Sequence, residues 1–419
     1  MTEPLHKSIH TDGEVHNSPI SSLVSSSMAT FLLALAMGAS TIIIPATLQK
    51  NGISITMIGL IMSFDTVASL LISLLFYQIL RIVGMRAGLL FSTLLRTPAL
   101  LALALTSNAY IWALAVFVNG AGYFAFMILL QTRVAGLKFQ ANKGLMMALF
   151  GTSTTLGLAA GPVLLASLQK ILPLAAPYLH NLILQSALPL QTGLPELQNG
   201  LIFMIITVIS LLALVPVLKG SFPVPSLRLS GSTYIWKSIM KAKGPMFAMA
   251  MAGVSFFGVC AFITLYGLKN NLKFNESALL LSMFMMGSLL LETPLTWVSD
   301  FIDRRYVIVI AAFISMICAV YLPMAIYVSY QACILLFIWG GVIGAIYSTA
   351  LALIGEKFDG DELVAANAGY SFMEAAGGTA GVLLIGIAMD LFGSDGLSYV
   401  IMLSSICYFS FALTRYKVV

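Results

Sequence analysis

Charge is scarce in this sequence. Asp, Glu, Lys and Arg make up 9% of the 419 residues, against about a quarter in a soluble domain. With 59% hydrophobic residues and a mean hydropathy of +0.98, the chain has too little polar surface to fold in water. Cysteine is scarce too: Cys260, Cys318, Cys333 and Cys407 are the only four. All lie inside apolar runs without metal-ligand spacing, so they read as small buried hydrophobes. The phosphate-cradling loop of nucleotide-binding proteins is missing as well. The run GAIYSTALALIGEK at 344–357 has the wrong glycine spacing and no Lys-Ser/Thr pair, which removes ATP as a direct energy source. No nucleophile elbow, nucleophile–base set or zinc motif is visible. These absences exclude an enzyme, and they imply neither a metal nor a cofactor. The excess of Lys and Arg forms no basic face, so no nucleic-acid partner is expected.

What the sequence has is long apolar runs. In lipid every backbone N–H and C=O must be satisfied within the protein, so only helices or a closed barrel can span. The runs are continuous rather than short and alternating, which predicts helices. Twelve spans are expected, at 23–47, 54–79, 87–106, 109–131, 144–168 and 200–218, then 246–268, 277–299, 306–328, 331–354, 364–389 and 397–414. The resulting fold class is an all-α polytopic membrane protein. Residues 1–20, with His6, His10 and His16, read as a polar cytoplasmic tail. The first apolar run is long enough to remain as a span, so no cleavable signal peptide is expected.

Charge tests this topology. With both termini cytoplasmic, Lys50, Lys170, Lys269 and Lys273 fall outside and Arg96 falls within a span. The other sixteen of the 21 Lys and Arg are cytoplasmic, a strong positive-inside bias. Residues 171–190 are apolar enough to suggest a thirteenth span. Making them one would move the basic loop with Lys219, Arg228, Lys237, Lys241 and Lys243 to the outside. The segment 169–199 is therefore read as an external cap or interfacial helix, or a plain loop, between spans 5 and 6. The organisation expected is a six-helix bundle over 21–218, a cytoplasmic linker over 219–245, a second bundle over 246–414 and a tail over 415–419. Two six-span repeats are a transporter architecture with the site between the halves.

Short basic turns recur at corresponding places in the halves, LRIVGMR at 80–86 and SDFIDRR at 299–305. The run Pro294–Arg305 resembles the second-half loop motif of the major facilitator superfamily. Asp300 matches the motif Asp and Arg304 and Arg305 its basic pair, while Thr296 replaces the usual Gly. The first copy keeps Arg81, Gly84 and Arg86, with Leu80 where the Asp would be. The resemblance implies a cytoplasmic gating latch of Asp300, Asp303, Arg304 and Arg305 with Arg81 and Arg86. Gly157, Gly161 and Pro162 in span 5 resemble the Gly-Pro motif of facilitator antiporters, without its closing glycines. The stretch from Gly340 through Asn367 is similar to a YcaD-like branch of the superfamily. Span 4 departs from that branch at Gln131 and Arg133.

Four ionisable residues lie within spans, where a charge costs roughly 2.5–3.5 kcal/mol on insertion scales and so faces a cavity or a partner. Asp65 in span 2 is followed by Ser69 and Ser73 on one face. Glu292 in span 8 belongs to a stripe of Ser288, Glu292, Thr296 and Asp300. Glu374 in span 11 shares a face with Asn367, Ser371, Gly378 and Gly381. The resembled fold places helices 2, 5, 8 and 11 at the contact between halves. Arg96 in span 3 lies at a depth similar to Asp65. That pair reads either as a static ion pair, with snorkelling of Arg96 as a variant, or as one that exchanges partners during transport or contacts an anionic substrate.

Glu374 and Glu292 are the proton-carrier candidates, since a carboxyl moved toward low dielectric binds a proton more readily. The alternative for each is a static hydrogen bond to a neighbouring helix. The glycines Gly340, Gly341, Gly344, Gly377, Gly378 and Gly381 read as close packing or as bending points. Tyr266 and Tyr347 read as interhelical or substrate-contacting tyrosines.

The function expected is a monomeric secondary active transporter in the bacterial inner membrane. It would move a small organic solute by alternating access, driven by protons, with membrane lipid as its surroundings. Efflux rests on the Gly-Pro resemblance. The sparse, mostly acidic charge inside the membrane fits an amphipathic or cationic solute better than a polyanion, and Arg96 leaves a carboxylate open. The rivals are proton-coupled uptake of a metabolite or siderophore, and a non-transporting membrane scaffold or assembly factor.

Overall fold

A computed structural model of the chain describes residues 19–135, 137, 143–184, 194–218, 232–358 and 360–415. The tails, linker residues 219–231 and residues 185–193 fall outside it. Among the described residues there are thirteen helices and no strand. The first six are α1 (Pro19–Lys50), α2 (Ile55–Val83), α3 (Met85–Leu105), α4 (Ala109–Ala135), α5 (Lys143–Leu184) and α6 (Leu194–Leu212). A short helix α7 (Ser232–Lys241) follows. The last six are α8 (Lys243–Lys269), α9 (Phe274–Val298), α10 (Arg304–Ala325), α11 (Ser329–Lys357), α12 (Gly360–Leu391) and α13 (Gly396–Arg415). Ten are long and apolar enough to cross a membrane, and α6 and α13 carry shorter apolar stretches. The twelve expected spans are thus α1–α6 and α8–α13.

Polar side chains inside these helices are satisfied locally, as lipid requires. Ser26 donates to the Ser22 carbonyl at 2.8 Å, Ser40 to Ala36 at 2.8 Å and Thr207 to Phe203 at 2.7 Å. A serine placed four residues after a carbonyl therefore costs a span little.

The two sets of six pack in the same pattern. In the first, α1 lies on α5, α2 on α4, and α3 on both α4 and α6. In the second, α8 lies on α12, α9 on α11, and α10 on both α11 and α13. The pairs correspond position for position, the signature of a parallel repeat. Contact between the halves runs chiefly through α2 with α12 and through α5 with α9, with α1 meeting α8 between them. Helices 2, 5, 8 and 11 of the expected twelve therefore do form the seam.

Two features go beyond the sequence expectation. Among the described residues of 169–199, which are 169–184 and 194–199, no separate cap helix lies between spans 5 and 6. Instead α5 runs unbroken through Leu184, because this stretch is rich in Leu and Ala and holds no glycine to end it. At 1.5 Å per residue the helix is about 63 Å long, roughly twice the hydrocarbon thickness. The expected linker over 219–245 carries structure of its own. Its end forms α7, which packs on α12 through Trp236 against Phe372, ring centroids 5.6 Å apart, and an ion pair between Lys241 and Glu362 at 3.1 Å.

Candidate functional site

A cavity of about 820 Å³, counting the space open to solvent, lies between the two halves. Helices α1, α2, α4 and α5 wall it on one side, and α8, α9 and α12 on the other. Each half contributes one carboxylate, Asp65 from α2 and Glu374 from α12. The rest of the wall is mostly apolar, with Phe124, Phe256 and Phe257 its aromatic side chains beside Tyr123.

Asp65 is 8% exposed, and its Oδ1 has no hydrogen-bond partner among the described residues. It is seated by α4, which approaches closely because position 120 is glycine. A Cβ there would sit 2.3 Å from Asp65 Oδ1. Two residues on, a Cβ at Gly122 would sit 2.4 Å from Arg96 Cγ. The Asn119-Gly120-Ala121-Gly122 stretch thus receives the aspartate of α2 and the arginine of α3 side by side.

Among the described residues no ion pair joins Asp65 to Arg96. Arg96 is fully buried, and its Nε donates to Asn119 Oδ1 at 3.0 Å. Its guanidinium stands 5.6 Å from the centre of the Tyr123 ring, a cation–π distance. Both Nη atoms lack a hydrogen-bond partner among the described residues. The sequence brought Asp65 and Arg96 to one depth; the structure inserts α4 and Tyr123 into the arrangement.

Glu374 stands on the face of α12 that meets the cavity. The glycines beside it face α8, where a Cβ at Gly377 would sit 2.0 Å from the Ala250 carbonyl oxygen and one at Gly378 2.4 Å from the Phe257 ring. Glu292 is placed elsewhere. It lies in the seam of α9 with α11, where it accepts from Ser288 at 3.3 Å and from Ser348 through a short bond. That seam is held by glycines: a Cβ at Gly287 would sit 1.7 Å from the Phe337 oxygen and one at Gly340 1.8 Å from the Phe284 oxygen. Tyr347 packs against Tyr370, whose hydroxyl donates to the Tyr347 carbonyl. Tyr266 is buried near the far end of α8 and does not line the cavity.

The basic turns sit at one end of the molecule. Arg304 bonds Asp300 at 3.3 Å and reaches Glu356 at the end of α11 at 2.9 Å. Asp303 caps α10, accepting from the Arg305 N–H at 2.9 Å. Arg86 donates to the Leu218 carbonyl at 3.3 Å, while the Arg81 side chain lies outside the described residues. Gly157 and Gly161 hold α5 against α1, each leaving 2.5 Å between a notional Cβ and the facing backbone. Pro162 follows in the same helix.

At the opposite end the halves are joined by Asp390 of α12. Its carboxylate accepts from the Ile55 and Thr56 N–H groups of α2 at 3.2 and 2.7 Å. Midway, Thr379 donates to Thr66 Oγ1 at 2.9 Å. Sequence reasoning missed Asn119, Gly120, Gly122, Tyr123, Glu356 and Asp390. Only the first three carried a signal, an Asn and two glycines in an otherwise apolar span.

Residues 245–418 match the family model of the Major Facilitator Superfamily. No relative was matched among curated protein sequences. Among solved structures the chain is similar to a mutant of the nucleoside transporter NupG, with a TM-score of 0.72 at 10% identity over 94% of this chain and 100% of that one. It is similar to a bacterial homologue of the human lysosomal transporter Spinster, inward-facing and unoccupied, with a TM-score of 0.73 at 9% identity over 96% of each chain. It is also similar to a variant of the Escherichia coli fucose:proton symporter FucP, with a TM-score of 0.62 at 19% identity over 95% and 99%. By sequence, the second half of this integral membrane protein matches the model of the Major Facilitator Superfamily, and over its whole length the chain shares its fold with these solved transporters.

Proposed function

We propose that the chain is a proton-coupled secondary active transporter that moves a small organic solute by alternating access, in the direction of efflux. The observation that carries this is the inter-half cavity with one carboxylate on each wall. A carboxylate buried on a moving surface can be neutral when it faces low dielectric and charged when it faces water, which is the requirement for coupling. Glu374 is the coupling group and Asp65 the counterpart that senses solute. Glu292, hydrogen-bonded by two serines, braces the second half. The excess of Lys and Arg at the end bearing the α2–α3 and α9–α10 turns supports an orientation with both termini cytoplasmic in an inner membrane.

Rocking must open one end while closing the other. The Asp390 bonds to α2 join the halves at the end bearing the α1–α2 turn. The Arg304 cluster lies within the second half at the other end. Reconstitution tests the reading. In proteoliposomes an imposed pH gradient should drive solute flux, and Glu374→Gln should abolish it while leaving the protein folded. Flux that persists in Glu374→Gln overturns the coupling role. The similarity to a fucose:proton symporter supports uptake as the rival direction. Reversing the gradient across oriented vesicles decides between the two.

A further inference from the structure

Resting on the transport reading above, we infer that the cavity takes a monovalent organic cation with an aromatic or branched apolar body. The wall offers negative charge and aromatic rings, and little else that is polar. Asp65 and Glu374 are its two carboxylates, and among the described residues no Lys, Arg or His lines it. Arg96 is fully buried behind the wall, its Nε bonded to Asn119 and its guanidinium against the Tyr123 ring, and it does not line the cavity. An anionic solute would meet two carboxylates and no reachable counter-charge.

A neutral polyhydroxylated solute fares little better. Such a solute needs many donors and acceptors, because each buried hydroxyl left unpaired costs about 1–3 kcal/mol. The wall's two threonine hydroxyls already donate within their own helices, Thr41 to Met37 at 2.9 Å and Thr66 to Ser63 at 2.8 Å. A cation asks for something different. Its charge is met by carboxylates, and its apolar groups by the faces of Tyr123, Phe124, Phe256 and Phe257. Asp65 Oδ1, buried and without a donor, is the acceptor left open, and such a group is satisfied by a cation or a proton. The same two carboxylates thus bind either solute or protons, which makes exchange of one for the other a property of the site itself.

Tetraphenylphosphonium and tetraphenylborate test this, being alike in shape and opposite in charge. Equilibrium dialysis of the full-length protein in a neutral detergent, corrected for protein-free micelles, gives both affinities. The cation should bind at least about tenfold more tightly than the borate. Glu374→Gln and Asp65→Asn should each shrink that ratio, and Glu374→Asp should restore it, in variants whose thermal unfolding matches the parent. Equal binding, a preference for the borate, or no binding of either probe overturns the inference. So does a ratio unchanged in both carboxamide variants. The parent's ratio decides alone should a variant fail to purify. Gradient-driven flux of an uncharged solute without cation preference sinks the substrate class and leaves the transport reading standing. Cation preference without any gradient-driven flux does the reverse.

Discussion

Removing one carboxylate should loosen one end of the molecule. Asp390 belongs to α12, and the N–H groups it receives belong to the first turn of α2 in the other half. Those N–H groups have no partner within their own helix. The carboxylate both satisfies them and meets the positive end of the helix dipole. The site is open to solvent, so the bonds are screened, and loss of a side-chain cap of this kind costs about 1 kcal/mol. Asp390→Ala should therefore weaken closure at this end by about 1 kcal/mol, roughly a fivefold shift between closed and open populations. Asp390→Asn, which keeps an acceptor and loses the charge, should fall between. Spin labels at Asn51 and Leu391, both exposed, would read the separation in a background lacking the four native cysteines. The distance distribution should move toward longer separations by that factor. A distribution untouched by Asp390→Ala would refute the reasoning.

Other outcomes follow from the same contacts. Gly340→Ala places a methyl 1.8 Å from the Phe284 oxygen, so α9 and α11 must part; a loss of about 1–3 kcal/mol should lower the thermal midpoint. Gly120→Ala drives into Asp65 and should reduce solute flux far more than it reduces the yield of folded protein. Arg304→Ala breaks two ion pairs whose carboxylates are both 58% exposed. It should cost about 1 kcal/mol or less, while hydrogen exchange rises locally at the end of α11. Ser348→Ala strips one donor from Glu292, and about 1 kcal/mol should be lost in chemical unfolding.

Much of this was legible from the sequence because the membrane restricts the options. A span announces itself by length and hydropathy, and helices stand at all twelve expected places, ten of them long and apolar enough to cross a membrane. Asp65 and Glu374 were visible as carboxylates on polar faces of helices that the resembled fold puts at the seam. What escaped depends on residues distant in the chain. Whether Asp65 meets Arg96 turns on α4, whose two glycines let it lie against both. The partners of Glu292 come from its own helix and from Ser348, 56 residues away. Asp390 caps a helix more than 330 residues earlier, and no local pattern marks it. The extent of α5 was not legible because the charge rule decided only that 171–190 is no further span, whereas its leucines and alanines carry the helix on through Leu184.

The two inter-half seams are alike in packing and unlike in chemistry. The start of α2 is capped from across the seam by Asp390. Its counterpart α9 is capped from within, by Glu276 accepting from the Lys273 N–H at 3.1 Å. Under the proposed rocking, α9 keeps its cap and α2 loses one. Opening of this end would therefore cost α2 a cap and α9 none, although the packing pattern alone makes the two seams equivalent.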